Sequence, residues 1–179
     1  VKSRDVIVVI DVLRCCSTIV TALTNGATLI IPVKTILKAR KLKKRHPGFI
    51  VAGERQGLKP KGFDLGNSPL EFSPRNVAGR GIILTTTSGT KAISSSQKGK
   101  WVLIGAFLNA KAIAEASLKI AEKEKTGISL VLAGKEGRFS LEDFLCAGAI
   151  AESFPNGMIE LCDAVMAALQ SFKGARHSL

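Results

Sequence analysis

Residues Asp5–Ile10 form an unbroken run dominated by β-branched apolar residues, and the run stops at Asp11. Hydrophobicity that is continuous rather than alternating suits a strand covered on both faces, as in a parallel sheet. Five further apolar runs follow, at Ala27–Val33, Phe49–Ala52, Gly81–Leu84, Trp101–Ile104 and Ile128–Leu132. Segments with helical patterning lie between most of them. Strands alternating with helices predict an α/β layered domain with a largely parallel sheet.

The helical segments carry their own stop and start signals. Ser17–Leu23 ends at Asn25-Gly26, a good C-terminal cap. Lys34–Arg45 reads as an amphipathic helix with Ile36, Leu37 and Leu42 facing inward, ended by His46-Pro47-Gly48. A helix runs from Asn109 to about Lys123. Ser140-Leu-Glu-Asp143 is a capping-box-like start that Phe144–Phe154 continues. Ile159–Phe172 reads as the last helix. The long polar connection from Gly53 to Pro69 predicts a functional loop, anchored by Phe63, Leu65 and Leu70.

With 179 residues and 46% hydrophobic content, the chain predicts one domain over 1–179 with a sizeable core. No apolar run is as long as a membrane span, and no signal peptide is visible. The start at Val1 without Met and the abrupt end point to a portion of a longer chain. Lys and Arg number 26 against 14 Asp and Glu, a net charge of +12 that favours acidic ligands or a basic surface. Four cysteines (Cys15, Cys16, Cys146, Cys162) lack metal-ligand spacing, so a reduced, cytoplasmic protein is expected. The two histidines, His46 and His177, occupy no site position, which disfavours zinc and phosphohistidine chemistry.

Candidate chemistry gathers where the apolar runs end. In open α/β sheets ligands bind beyond the carboxyl ends of the strands. Those ends carry Asp11 and Arg14, Glu54 and Arg55, Thr85–Thr90, Asn109, and Glu136 with Arg138. In Ile82–Ala92 an apolar run breaks into hydroxyl residues around Gly89 and opens a helix, a common way to build an anion site. Arginines offer planar forks for phosphate or sulfonate. Asp11, Glu54, Asp64, Glu136 and Asp143 offer oxygens to a divalent cation. The plainer alternatives are ion pairs of Asp11 or Glu54 with Arg14 or Arg55, and a solvated helix face for the basic run Lys34–Arg45. No P-loop motif, dinucleotide fingerprint or cysteine-phosphatase spacing occurs, so metal-assisted attack by water fits the residue types best.

Five ordered strings carry a resemblance: Asp11-Val-Leu-Arg14, Gly53-Glu-Arg55, Gly62-Phe-Asp-Leu-Gly-Asn-Ser-Pro69, Thr85-Thr-Thr-Ser-Gly-Thr90 and Glu136-Gly-Arg-Phe-Ser-Leu-Glu-Asp143. From about Val6 to Glu152 the chain resembles the 2-phosphosulfolactate phosphatase (ComB) family of coenzyme M biosynthesis. The resemblance implies a three-layer α/β/α fold and Mg²⁺-dependent hydrolysis of 2-phospho-3-sulfolactate to 3-sulfolactate and phosphate. The alternatives are a phosphatase of another small phosphorylated acid and a non-catalytic anion- or nucleic-acid-binding protein. Under the first reading Asp11, Glu54 and Glu136 are catalytic, and Asp11, Glu54, Asp64 and Asp143 hold Mg²⁺. Arg14, Arg55, Asn67, Ser68, Thr86, Thr87, Ser88, Gly89, Thr90, Asn109 and Arg138 bind substrate. The expected partner is a small anionic phosphorylated substrate, with neither nucleic acid nor membrane, and a homodimer is left open.

Overall fold

The computed structural model describes residues 4–155 and 157–176; His177 lies outside them. Strands β1 (Val6–Ile10), β2 (Leu29–Pro32), β3 (Ile50–Gly53), β4 (Gly81–Thr85), β5 (Trp101–Gly105) and β6 (Ile128–Leu132) are all present where the apolar runs predict them. Helices α1 (Cys15–Thr24), α2 (Ile36–Arg45), α3 (Pro74–Val77), α4 (Gly89–Ser96), α5 (Ala110–Glu124), α6 (Leu141–Glu152) and α7 (Asp163–Arg176) separate or follow them. The fold is α/β, with parallel-strand sheets flanked by helices, and agrees with a three-layer α/β/α arrangement.

One expectation changes here. The strands do not share a single sheet but form two parallel three-stranded ones, ordered β5-β1-β6 and β2-β4-β3. β1 is central in the first and every residue of it is buried, which accounts for its unbroken apolar run. β4 holds the same place in the second, again fully buried. β2 is an edge strand with Pro32 at its end, where the missing N–H costs little. A core of Ile7, Val9, Cys16, Ile50, Ile82 and Leu84 joins side chains of both sheets.

Two packing expectations are also revised. On α2 the buried residue is Ala39, with Ile36 and Leu42 partly buried beside it, whereas Leu37 is 78% exposed. Positions 36, 39 and 42 lie along one helix face, and 37 is turned away from it. In the connection after β3, Phe63 is buried but Leu70 is 92% exposed, and the anchor is Phe72, which is wholly buried. That connection folds back along β3: the backbone N–H groups of Asp64 and Leu65 donate to Val51 O, and Gly53 N donates to Leu65 O and Gly66 O. Gly53 has a φ of +142°, and a β-carbon there would overlap the Thr85 carbonyl of β4. Ser140 Oγ accepts from Asp143 N and caps α6 as expected. α7 packs along α6, which gives the last helix its place.

Candidate active site

A cavity of about 390 Å³ opens where β1, β3, β4 and β6 end, so the two sheets present their carboxyl ends to one space. Asp11, Arg14, Glu54, Asn67 and Glu136 line it, as do Thr86, Thr87, Ser88 and Asp143. Residues not proposed from the sequence line it too, chiefly Gln56, Gly57, Lys135 and Glu142.

The two sheets build their share of the rim with the same backbone device. After β3 a tight turn spans Arg55–Leu58, closed by Arg55 N to Leu58 O at 2.9 Å and Leu58 N to Arg55 O at 3.1 Å. After β6 a matching turn spans Lys135–Arg138, with the equivalent bonds at 3.1 and 2.9 Å. The central residues of both turns have positive φ: Gln56 and Gly57 at 53° and 79°, Glu136 and Gly137 at 53° and 79°. Such pairs suit a type I′ turn, whose second position favours glycine.

Each half also clamps a carboxylate. Glu54 Oε1 accepts from Thr87 N at 2.6 Å, and Oε2 accepts from Gly57 N at 2.8 Å and Thr87 Oγ1 at 3.0 Å. Asp143 Oδ1 accepts from Val12 N at 2.8 Å and Oδ2 from Gly134 N at 3.1 Å. Both acids therefore tie the first residues beyond a central strand to the neighbouring turn. Burial raises the Asp143 pKa, and the N–H groups of Val12 and Gly134 oppose that rise.

The turn at the start of α4 thus differs from an open anion cradle. Thr87 already gives its N–H and hydroxyl to Glu54, and Thr90 N donates to Thr86 Oγ1 at 3.0 Å. Ser88 makes no side-chain cap bond. Gly89 is required by proximity, since a β-carbon would overlap Asp11 Oδ2 and the Cys15 side chain. Asp11 itself is 7% exposed, with Oδ1 accepting from Cys15 N at 3.1 Å. Burial pushes its pKa up to about 6; the Cys15 N–H pulls it down, while Asp143, Glu54 and Glu142 add to the rise. Burial likewise raises the thiols of Cys15 and Cys16, which disfavours the thiolate a nucleophile needs.

Several candidates stand elsewhere. Arg55 does not face the cavity: its guanidinium donates to Glu54 O at 2.6 Å, Lys34 O at 2.8 Å and Thr85 Oγ1 at 2.6 Å, holding the ends of β2, β3 and β4 together. Arg138 closes its turn and is outside the lining, so Arg14 is the one arginine of the three on the cavity. Asp64 accepts from Val51 N at 2.8 Å and pairs with Lys43 at 3.3 Å, bracing β3. Asn109 bonds Ala106 N and Ile104 O at 2.8 and 2.9 Å and secures the end of β5. Ser68 precedes a single 3₁₀ turn at Pro69–Glu71. Gly89 and Thr90 act through the shape of the α4 start.

The rim expected from sequence carried three arginines; the cavity instead carries five carboxylates, Asp11, Glu54, Glu136, Glu142 and Asp143, against Arg14 and Lys135. Such a lining repels a bare polyanion and attracts cations. The profile of the 2-phosphosulpholactate phosphatase family matches residues 1–179. The chain belongs to that family of phosphoric monoester hydrolases. It is 48% identical over 171 residues to a probable 2-phosphosulfolactate phosphatase of Thermotoga petrophila, covering 96% of this chain and 71% of that protein. It is 43% identical over 169 residues to one of Clostridium acetobutylicum, covering 93% and 70% respectively. The probable enzyme of Caldicellulosiruptor saccharolyticus is 45% identical over 148 residues, 82% of this chain and 61% of its own length. Among the described residues no helix is long and apolar enough to cross a membrane.

Proposed function

We propose that this protein is a Mg²⁺-dependent phosphatase that converts 2-phospho-3-sulfolactate to 3-sulfolactate and phosphate, as in coenzyme M biosynthesis. The observation that carries the reading is the acidic cavity with two cationic side chains at the carboxyl ends of four strands. A trianionic or tetraanionic substrate and a carboxylate-lined cavity are compatible once a cation lies between them. Free cysteines, three of them buried, suit a reducing cytoplasm.

The donor set fits magnesium. All the candidate donors are oxygens, and Asn67 Oδ1 is buried without a hydrogen-bond partner in the same cavity lining. Among the described residues no three His, Cys, Asp or Glu side chains are grouped as a metal cage. Magnesium commonly uses one or two carboxylates, waters and substrate phosphate rather than an all-protein cage. Asp11 and Asn67 would hold it, framed by Glu54 and Asp143. The bound ion would supply charge neutralisation and polarise the phosphoryl group. Arg14 offers a fork to phosphoryl oxygens. Glu136, on its turn beside the cavity, is the group available to take a proton from attacking water.

Phosphate release from 2-phospho-3-sulfolactate, measured after EDTA stripping and again after Mg²⁺ is restored, tests the proposal. Full turnover in EDTA would remove the metal. Turnover confined to a different phosphorylated acid in a small panel would replace the substrate.

A further inference from the structure

Arg14 and Lys135 make neither a hydrogen bond through their side chains nor an ion pair with any described residue, although five carboxylates line the same cavity. Elsewhere Lys43, Lys100 and Arg176 each pair with an acid, at 3.3, 2.6 and 2.9 Å. Arg55, which begins the matching turn, has three oxygens around its guanidinium. Lys135 begins the turn after β6, and its backbone is fixed by paired bonds with Arg138. The residue is exposed at the cavity while its backbone is tied into the turn. A cation held at an acidic cavity without a partner is available to a ligand anion.

We infer that Lys135 is a specificity-determining residue, which receives one of the two acidic groups of the substrate other than the phosphate, its carboxylate or its sulfonate. The inference rests on the phosphatase reading above. Arg14, with a planar fork, matches phosphoryl oxygens, whereas a lysine ammonium is a compact charge on a flexible stem. Such a group follows a carboxylate or sulfonate without demanding one bidentate geometry. Lys135 therefore favours phosphorylated acids over simple phosphomonoesters.

The test compares the full chain with K135Q and K135R on 2-phospho-3-sulfolactate and on isopropyl phosphate, which keeps a secondary phosphate and lacks acids. K135Q raises KM for the acid about ten-fold, with kcat within about two-fold and isopropyl phosphate kinetics unchanged. K135R recovers most of the loss. Equal losses on both substrates, or none on either, overturn the assignment. Calorimetric titration with 3-sulfolactate and with inorganic phosphate, both in Mg²⁺, gives a readout independent of turnover. K135Q weakens 3-sulfolactate about ten-fold and leaves phosphate unchanged. Unchanged 3-sulfolactate binding in K135Q, or wild-type protein that binds phosphate alone, overturns the role of Lys135. Absence of turnover with the product titration intact instead removes the phosphatase reading.

Discussion

The turns Arg55–Leu58 and Lys135–Arg138 have the same hydrogen bonds and the same φ at their centres; a clamped carboxylate bonds Gly57 within the first and Gly134 just before the second. Their first residues are both cations, yet Arg55 is bonded to three oxygens of the scaffold while the Lys135 side chain pairs with no described residue. The difference teaches that position in a motif does not separate structural from functional charge. What separates them is whether neighbouring carbonyl and hydroxyl groups of the scaffold supply oxygens. At the first turn the ends of β2 and β4 do so, through Lys34 O and Thr85 Oγ1. Among the described residues, the β5-β1-β6 sheet offers no such arrangement around Lys135.

The largest expected effect lies with the cavity arginine. Arg14→Ala should cost about 2–4 kcal/mol in transition-state stabilisation, read from kcat/KM, with melting temperature little changed. Arg55→Ala should do the reverse, losing about 1–3 kcal/mol of folding stability in urea titration because three acceptors lose their donor. If the two variants show the same balance of activity and stability, the division between scaffold and cavity cations fails. Glu54→Gln and Asp143→Asn sharpen the comparison further. Each keeps one acceptor oxygen and loses another, so each should destabilise by about 1–2 kcal/mol. A large inequality between them would show that the two clamps are not equivalent.

A pH effect of similar or smaller size should come from Asp11. Its folded pKa of about 6 lies above the ordinary value of 3.8, so between those values the folded state holds the proton more tightly. The contribution of Asp11 to stability is therefore greatest below about pH 4, falls as pH rises to about 6, and then levels, by up to about 3 kcal/mol without metal. Asp11→Asn should flatten that slope in urea titrations across the range and raise stability above pH 6. A slope unchanged by the substitution would assign the effect to other groups.

Much of this fold is written in local pattern. The six apolar runs became the six strands, and the Ser140 start became a capped helix. Pairing was not legible, because periodicity reports that a strand is covered but not by what. Arg14 and Arg55 both closely follow a strand, and nothing local shows that one meets carbonyls and the other a cavity. The Val12–Asp143 bond joins residues 131 positions apart, beyond any spacing argument. Lys135 carried a weak signal, since its residues repeat the alanine–glycine approach and glycine turn of Ala52–Leu58. That internal echo could have placed it beside the site.

The split into two sheets bears on the order in which the chain can assemble. β4 finds both partners among residues 29–53, already present when it emerges during synthesis. β1 leads the chain, but its partners are residues 101–105 and 128–132. Closing those long loops carries the larger entropy cost, so formation of the first sheet must wait for the distal half. Until then the apolar strand Val6–Ile10 lacks both neighbours and is the segment most exposed to misassociation. The Asp143 clamp comes later still in chain order, so the candidate cavity is completed only after both sheets have their strands.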